Sequence, residues 1–220
     1  MSVSTEPIVQ SFLSSVDAGA HATTPYDHWT LRGCLPCDAV DEILELPFES
    51  PDLEGVSGKR ELHNATRTYF DVENRKRFPV VETVAQAFQD KRVTDRITTE
   101  FNTDIQGAYL RIEFAQDTNG FWLEPHSDLG VKLFTMLLYM SKDESHANLG
   151  TDIYDQNLNP VARSPFASNS AMVFIPSGIS FHGFEPRQIE GIRKSIIINY
   201  VTDEWRAREQ LTFPDAPINS

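Results

Sequence analysis

The chain has 220 residues, 40% of them hydrophobic and 23% charged, which suits one globular domain with a full core and excludes a disordered or fibrous chain. Its formal net charge of −13 repels phosphate backbones and anionic bilayers, so neither nucleic acid nor membrane is expected as a partner. No apolar run approaches spanning length, and Met1–Gln10 lacks the basic and apolar parts of a secretory leader, so a cytoplasmic location is the expectation.

Residues 1–26 are rich in Ser, Thr and Ala, and are expected either to hold a short helix around Val9–Val16 or to be partly mobile. Trp29–Arg32 reads as a short strand. Cys34 and Cys37 follow in Cys-Leu-Pro-Cys. No second Cys pair exists to complete a zinc site, and no thioredoxin-like pattern surrounds them, so they are read as structural residues at a strand-to-helix turn. In Asp38–Leu46 the apolar residues Val40, Ile43, Leu44 and Leu46 recur near helical spacing, and Pro47 stops the helix. Pro51–Lys59 reads as a loop. Phe78–Phe88 and Val93–Phe101 predict one or two helices, with Pro79 at a first turn where no N–H is needed.

From Ala108 the texture changes. Tyr109–Phe114 alternates as a half-buried strand does, and Leu133–Met140 is an apolar run of strand length. Thr151–Tyr154, Ala171–Ile175 and Ser195–Val201 are further short strands, separated by turn clusters such as Pro176-Ser177-Gly178. Asp203–Leu211 is expected to be a short helix ended by Pro214. Many short strands with turns between them indicate a sandwich or jelly roll. The expected fold is mainly β with α: a double-stranded β-helix (jelly roll) core with N-terminal helices packed on it. Within a single domain 1–220, residues 1–106 form a helical or mixed support region, 107–202 the jelly-roll catalytic core and 203–220 a C-terminal extension.

The chemistry is concentrated in His126-Ser127-Asp128, in a distal His182, and in Arg193-Lys194-Ser195. Two imidazoles and one carboxylate can grip one face of an octahedral metal and leave the other open, as in non-haem Fe(II) oxygenases. His126 and Asp128 are alternate residues of an extended segment and face one way. His182 follows the strand that ends near Phe174-Ile175-Pro176. His21, His28, His63 and His146 lack such a context, and His146, beside Asp143 and Glu144, reads as a solvated loop residue. Arg193 and Ser195 share one face of the last strand. A guanidinium fork with a neighbouring hydroxyl suits the distal carboxylate of a dicarboxylic cosubstrate.

These motifs resemble those of the Fe(II)/2-oxoglutarate-dependent dioxygenases, and most of all the prolyl-hydroxylase-like branch. The resemblance runs from Gly107 to Val201 and extends to Trp122–His126, Thr135–Tyr139 and Gly150–Tyr154. It implies Fe(II) on His126, Asp128 and His182, with 2-oxoglutarate and dioxygen as cosubstrates. Arg193, helped by Ser195, would anchor the far carboxylate, with Tyr139 against it and Thr135 and Leu137 on the same inward face. The implied reaction couples oxidative decarboxylation of 2-oxoglutarate to hydroxylation of a substrate C–H bond. The family often carries another Tyr on the strand leading to the first ligand. Phe114 stands there instead, with Tyr109 or Arg111 as replacements. Met136, Leu138, Phe174 and Phe181 are expected to line the cavity.

Glu54–Phe70 and Asp143–Leu149 are the candidate mouth loops. The first carries Lys59, Arg60, His63 and Arg67, read as a solvated cluster or as a contact for an anionic substrate. The substrate is a small molecule or a peptidyl side chain, and the oligomeric state stays open. Two alternatives remain. A zinc hydrolase or isomerase on a cupin-like barrel would lack the usual His-x-His plus Glu and leave Arg193 and Ser195 unexplained. A non-catalytic β-sandwich binding module would not need these motifs in this order.

Overall fold

The computed structural model describes residues 4–51, 58, 67–128 and 130–219. Lys59, Arg60 and His63 lie outside them. Two antiparallel sheets face each other. The larger has seven strands in the order β1 (Ala20–Ala22), β2 (His28–Arg32), β9 (Ser170–Phe174), β6 (Lys132–Tyr139), β11 (Arg193–Val201), β4 (Tyr109–Asp117) and β3 (Thr68–Tyr69). The smaller has four, in the order β5 (Leu123–His126), β10 (His182–Phe184), β7 (Asp152–Tyr154) and β8 (Pro160–Arg163). This is the expected jelly roll.

Both faces of the large sheet are covered, and side-chain parity sorts its residues between them. Leu110, Ile112, Phe114, Met136, Leu138, Ile196 and Ile198 face a helical layer and form one core with it. That layer consists of α1 (Glu6–Asp17), α2 (Cys37–Leu44), α3 (Val72–Arg77), α4 (Pro79–Gln89) and α5 (Lys91–Glu100). Val9 and Phe12 of α1, Val81, Val84 and Phe88 of α4 and Ile97 of α5 supply its apolar side. On the opposite face Leu137, Tyr139, Met172 and Phe174 meet Ile153 and Phe184 of the small sheet. Burial of both faces explains why β6 reads as an unbroken apolar run.

Parity also corrects the expected cavity lining. Met136 and Leu138 point into the helical core, because Leu137 and Tyr139 take the cavity side. Phe114 likewise packs edge-on against Phe48, with ring centroids 5.6 Å apart, and cannot replace a Tyr in the site. Residues 1–106 hold strands as well as helices: β2, at the expected Trp29–Arg32 strand, pairs with β9 along its whole length, and β3 pairs with β4. Asp203–Leu211 is not a helix. Only Arg208–Gln210 makes a single 3-10 turn, because Trp205 and Leu211 pack on Val201 while the chain turns back to bond β4, Thr212 N–H donating to the Leu110 carbonyl at 2.9 Å.

Cys34 is buried and Cys37, the first residue of α2, is exposed; both are free thiols. Burial pushes the Cys34 thiol up to about 12, so it stays protonated and inert. His146 corrects another expectation: the turn Glu144–Asn148 folds it inward to 2% exposure. Its Nε2–H donates to the Glu190 carbonyl at 2.6 Å, and its ring meets the edge of Phe166. No helix among the described residues is long and apolar enough to cross a membrane.

Candidate metal centre and cosubstrate pocket

β5 and β10 are neighbours in the small sheet, with His126 directly opposite His182 and ring centroids 4.4 Å apart. Asp128 lies two residues beyond His126. One ligand atom from each of His126, Asp128 and His182 lies within 4.8 Å of the others. The two imidazoles are pre-oriented alike. His126 Nδ1 faces the Glu124 carbonyl at 2.9 Å and His182 Nδ1 faces the Ser180 carbonyl at 3.0 Å. A carbonyl only accepts, so each Nδ1 carries the proton and each Nε2 carries the lone pair a metal needs. Phe174 packs against the His182 ring at 4.6 Å and holds its plane.

Asp128 is buried and its carboxylate is held on both oxygens. Lys132 Nζ donates to Oδ1 and Thr135 Oγ1 donates to Oδ2, each at 2.8 Å. Asn199 Nδ2 in turn donates to Thr135 Oγ1 at 2.9 Å. Each carboxylate oxygen has two lone pairs, so neither of these two bonds by itself excludes a metal. The N₂O donor set, with an open side toward the cavity, matches a facial Fe(II) site. Thr135 therefore acts on Asp128 in this structure, although it also lines the cavity.

The cavity lies between the sheets and encloses about 90 Å³. Phe121, Leu123, Leu137, Phe184 and Ile197 make its apolar wall. Arg193 and Ser195 line it from β11, and Tyr139 and Thr151 line it nearby. Tyr139 O–H donates to Thr151 Oγ1 at 2.8 Å and contacts Ser164 Oγ, which spends its hydroxyl within the wall. Arg193 is buried among the rings of Phe184, Phe166 and Tyr139. Its Nε donates to the Leu149 carbonyl at 2.7 Å and Nη1 to Asp117 Oδ2 at 2.5 Å. Nη2 of Arg193 and Oγ of Ser195 make no hydrogen bond among the described residues.

Asp117 and its partners form a buried charged network at the cavity that motif reading missed. Arg193 is opposite Asp117 in the β11–β4 ladder. Arg67 Nη1 donates to the other Asp117 oxygen at 2.6 Å, while its Nε lies 3.3 Å from Glu113. Arg111 pairs with Glu113 at 2.7 Å from the far side, and its guanidinium is sandwiched by Tyr69 and Trp205. Burial alone would raise the Asp117 carboxyl's pKa, but the Arg67 and Arg193 guanidiniums outweigh it and hold it below the usual carboxylate range. A signal was present in β4: Arg111, Glu113 and Asp117 alternate with Leu110, Ile112 and Phe114. Charges on one side of a strand of this length mark a polar cavity when the strand is central. Arg67, read as part of a solvated loop, is instead a buried member of this network.

No protein-family model matches the chain, and no curated protein does. Solved structures do match. A prolyl 4-hydroxylase from Phytophthora capsici is 14% identical, with a TM-score of 0.61 over 93% of this chain and 67% of its own. A prolyl hydroxylase from Trichoplax adhaerens, in complex with a hypoxia inducible factor peptide fragment, is 14% identical, with a TM-score of 0.59 over 92% and 93% of the two chains. The viral collagen prolyl hydroxylase of Paramecium bursaria Chlorella virus-1, in its 2-oxoglutarate complex, is 11% identical, with a TM-score of 0.53 over 80% and 96%. The fold is that of the Fe(II)/2-oxoglutarate dioxygenases of the prolyl-hydroxylase-like type.

Proposed function

We propose that this chain is a non-haem Fe(II) dioxygenase that couples oxidative decarboxylation of 2-oxoglutarate to hydroxylation of a substrate C–H bond. The observation that carries this is the convergence of His126, Asp128 and His182, with both imidazoles turned Nε2-inward, inside a jelly roll of dioxygenase type. Fe(II) with 2-oxoglutarate and dioxygen supplies the oxidising chemistry when bound.

The chain's own residues hold, orient and exclude. His126, Asp128 and His182 hold the metal, and Thr135 and Lys132 fix the Asp128 carboxylate. Arg193 Nη2 and Ser195 Oγ, both on the cavity, receive the far carboxylate of 2-oxoglutarate. Asp117 and the Leu149 carbonyl keep the Arg193 fork in place. Phe121, Leu123, Leu137, Phe184 and Ile197 keep water from the reacting centre.

The test combines spectroscopy with turnover. Anaerobic Fe(II) plus 2-oxoglutarate gives a weak visible charge-transfer band in the wild type, and succinate is released in air. His126→Ala abolishes the band and retains no stoichiometric iron. Arg193→Leu keeps iron but weakens 2-oxoglutarate binding by roughly two to four orders of magnitude, the cost of an unpaired buried carboxylate. Stoichiometric iron in His126→Ala, or no calorimetric binding of 2-oxoglutarate to the wild type, sinks the reading.

A further inference from the structure

Two segments meet beside the Arg193 guanidinium. One is the turn Glu144–Asn148 with Leu149 after it, and the other is the loop that leads into Arg193. Two side chains tie them together reciprocally. His146 Nε2–H donates to the Glu190 carbonyl at 2.6 Å, and Arg193 Nε donates to the Leu149 carbonyl at 2.7 Å. Each pair is 44 residues apart, so the two bonds are successive rungs between the same two segments. The His146 carbonyl also accepts the Leu149 N–H at 2.8 Å, which joins the two rungs along the turn.

The same imidazole shapes the wall behind the guanidinium. Its ring meets the edge of Phe166 with centroids 5.9 Å apart. Phe166 in turn lies 4.8 Å from the Tyr139 ring, and the Arg193 guanidinium carbon stands 5.4 Å over it. On the other side of Leu149 the backbone is held by Gly150. A Cβ there would lie 1.7 Å from the Ser164 carbonyl oxygen, and the Gly150 carbonyl accepts from Arg187 Nη2 at 2.8 Å. The Leu149 carbonyl is thus fixed from both directions, by Gly150 after it and by His146 before it.

Packing alone does not account for a histidine at this place. His146 is 2% exposed, and its Nδ1 is buried without a hydrogen-bond partner among the described residues. An unpaired buried polar atom costs stability that an apolar side chain would not. An apolar side chain, however, could not donate to Glu190.

We propose that His146 is a positioning residue for cosubstrate recognition. It staples the turn before Leu149 to the segment before β11, and so fixes the carbonyl that aims the Arg193 fork into the pocket. This rests on the oxygenase reading above. His146 does not line the cavity and acts through Arg193 alone. A planar guanidinium held on Nε by Leu149 and on Nη1 by Asp117 has one orientation, and its remaining edge is pre-organised for a carboxylate.

The experiment compares 2-oxoglutarate with 2-oxobutyrate, which keeps the chelating end and lacks the far carboxylate. Binding to the Fe(II) protein without oxygen is read from the visible charge-transfer band, beside an Fe(II) titration and a melting curve. The wild type prefers 2-oxoglutarate by about a hundredfold or more, as expected for a buried charge pair. His146→Leu weakens 2-oxoglutarate by about tenfold, the upper range for one hydrogen bond, and leaves 2-oxobutyrate and Fe(II) affinity unchanged. His146→Gln, whose amide can donate to the same carbonyl, recovers most of that loss. If His146→Leu does not fold, His146→Asn replaces it, because the shorter amide stops short of Glu190. Three results overturn the proposal: an unchanged 2-oxoglutarate affinity, an equal loss for 2-oxobutyrate or Fe(II), or a Gln variant no better than the Leu or Asn one. A wild type that binds both oxo acids equally is a separate outcome. It removes the Arg193 anchor from the oxygenase reading, and this inference falls with it.

Discussion

Thr135 shows how much one hydroxyl can control. It donates to the Asp128 carboxylate and accepts from Asn199, so it links the metal-facing carboxylate to the middle of β11. Groups that orient a metal ligand typically contribute about 10–100-fold to metal affinity. Thr135→Val conserves shape and deletes both bonds. It should lower Fe(II) or Co(II) affinity by about that factor while the thermal unfolding midpoint moves little, which metal titration beside a melting curve would check. Asp117 is the opposite case, a carboxylate whose loss is felt by the fold. Asp117→Asn strips two buried guanidiniums of a partner and should cost about 3–5 kcal/mol in urea unfolding at neutral pH. Because the Asp117 pKa is depressed in the folded state, its contribution is full above the ordinary carboxylate range and is lost as pH falls through the lowered value. Wild-type stability should therefore fall more steeply than that of Asp117→Asn below about pH 4. Equal slopes would mean that the ion pairs contribute nothing net.

At the scale of elements, the site depends on how closely β10 approaches β5. Gly183 sits between His182 and Phe184, and a Cβ there would lie 2.7 Å from the Leu123 carbonyl oxygen and 3.1 Å from that of Glu124. Both acceptors are backbone of the strand that carries His126, so they can yield only by moving that strand. Gly183→Ala should keep the circular-dichroism spectrum and lose metal affinity by at least about tenfold, since ligand spacing is what it disturbs. Unchanged metal binding would show that β5 is free to slide. Asp152 braces the same sheet from the other end, accepting from Arg163 at 2.6 Å, Arg187 at 2.8 Å and the Glu185 N–H at 2.7 Å. Alternation along the strands decided which neighbours reach the cavity. Once Tyr139 faces it, Thr135 and Leu137 must as well, and Met136 and Leu138 cannot.

At the scale of the whole molecule, the N-terminal part of the chain is built into the large sheet. β2 covers the edge of β9, from His28 opposite Phe174 to Arg32 opposite Ser170. α1 packs over α4 through Phe12 and Phe88, with ring centroids 5.2 Å apart. A chain beginning at residue 33 would expose the β9 edge and part of the helical core. Such an edge is a template for strand addition. The shortened chain should be aggregated or insoluble by light scattering, and a monodisperse, metal-binding fragment would show that the jelly roll stands without β1 and β2.

What the sequence determined by itself was whatever depends on local spacing. Period-two and helical patterns located the main strands and α1, α2, α4 and α5, because burial of a face imposes its period on the residues. The order of His126, Asp128, His182 and Arg193 was legible through its resemblance to the dioxygenase motifs, whereas Asp128 lies beyond the end of β5. Other features belonged to the tertiary structure. Arg67 reaches Asp117 fifty residues on, and Arg193 reaches it from 76 residues away, so no window of sequence contains the network. His146 looked solvated beside Asp143 and Glu144, but Glu190 and Phe166, both remote, bury it. The expected helix at Asp203–Leu211 gave way because docking Trp205 and Leu211 on Val201 outweighs a weak local helical preference.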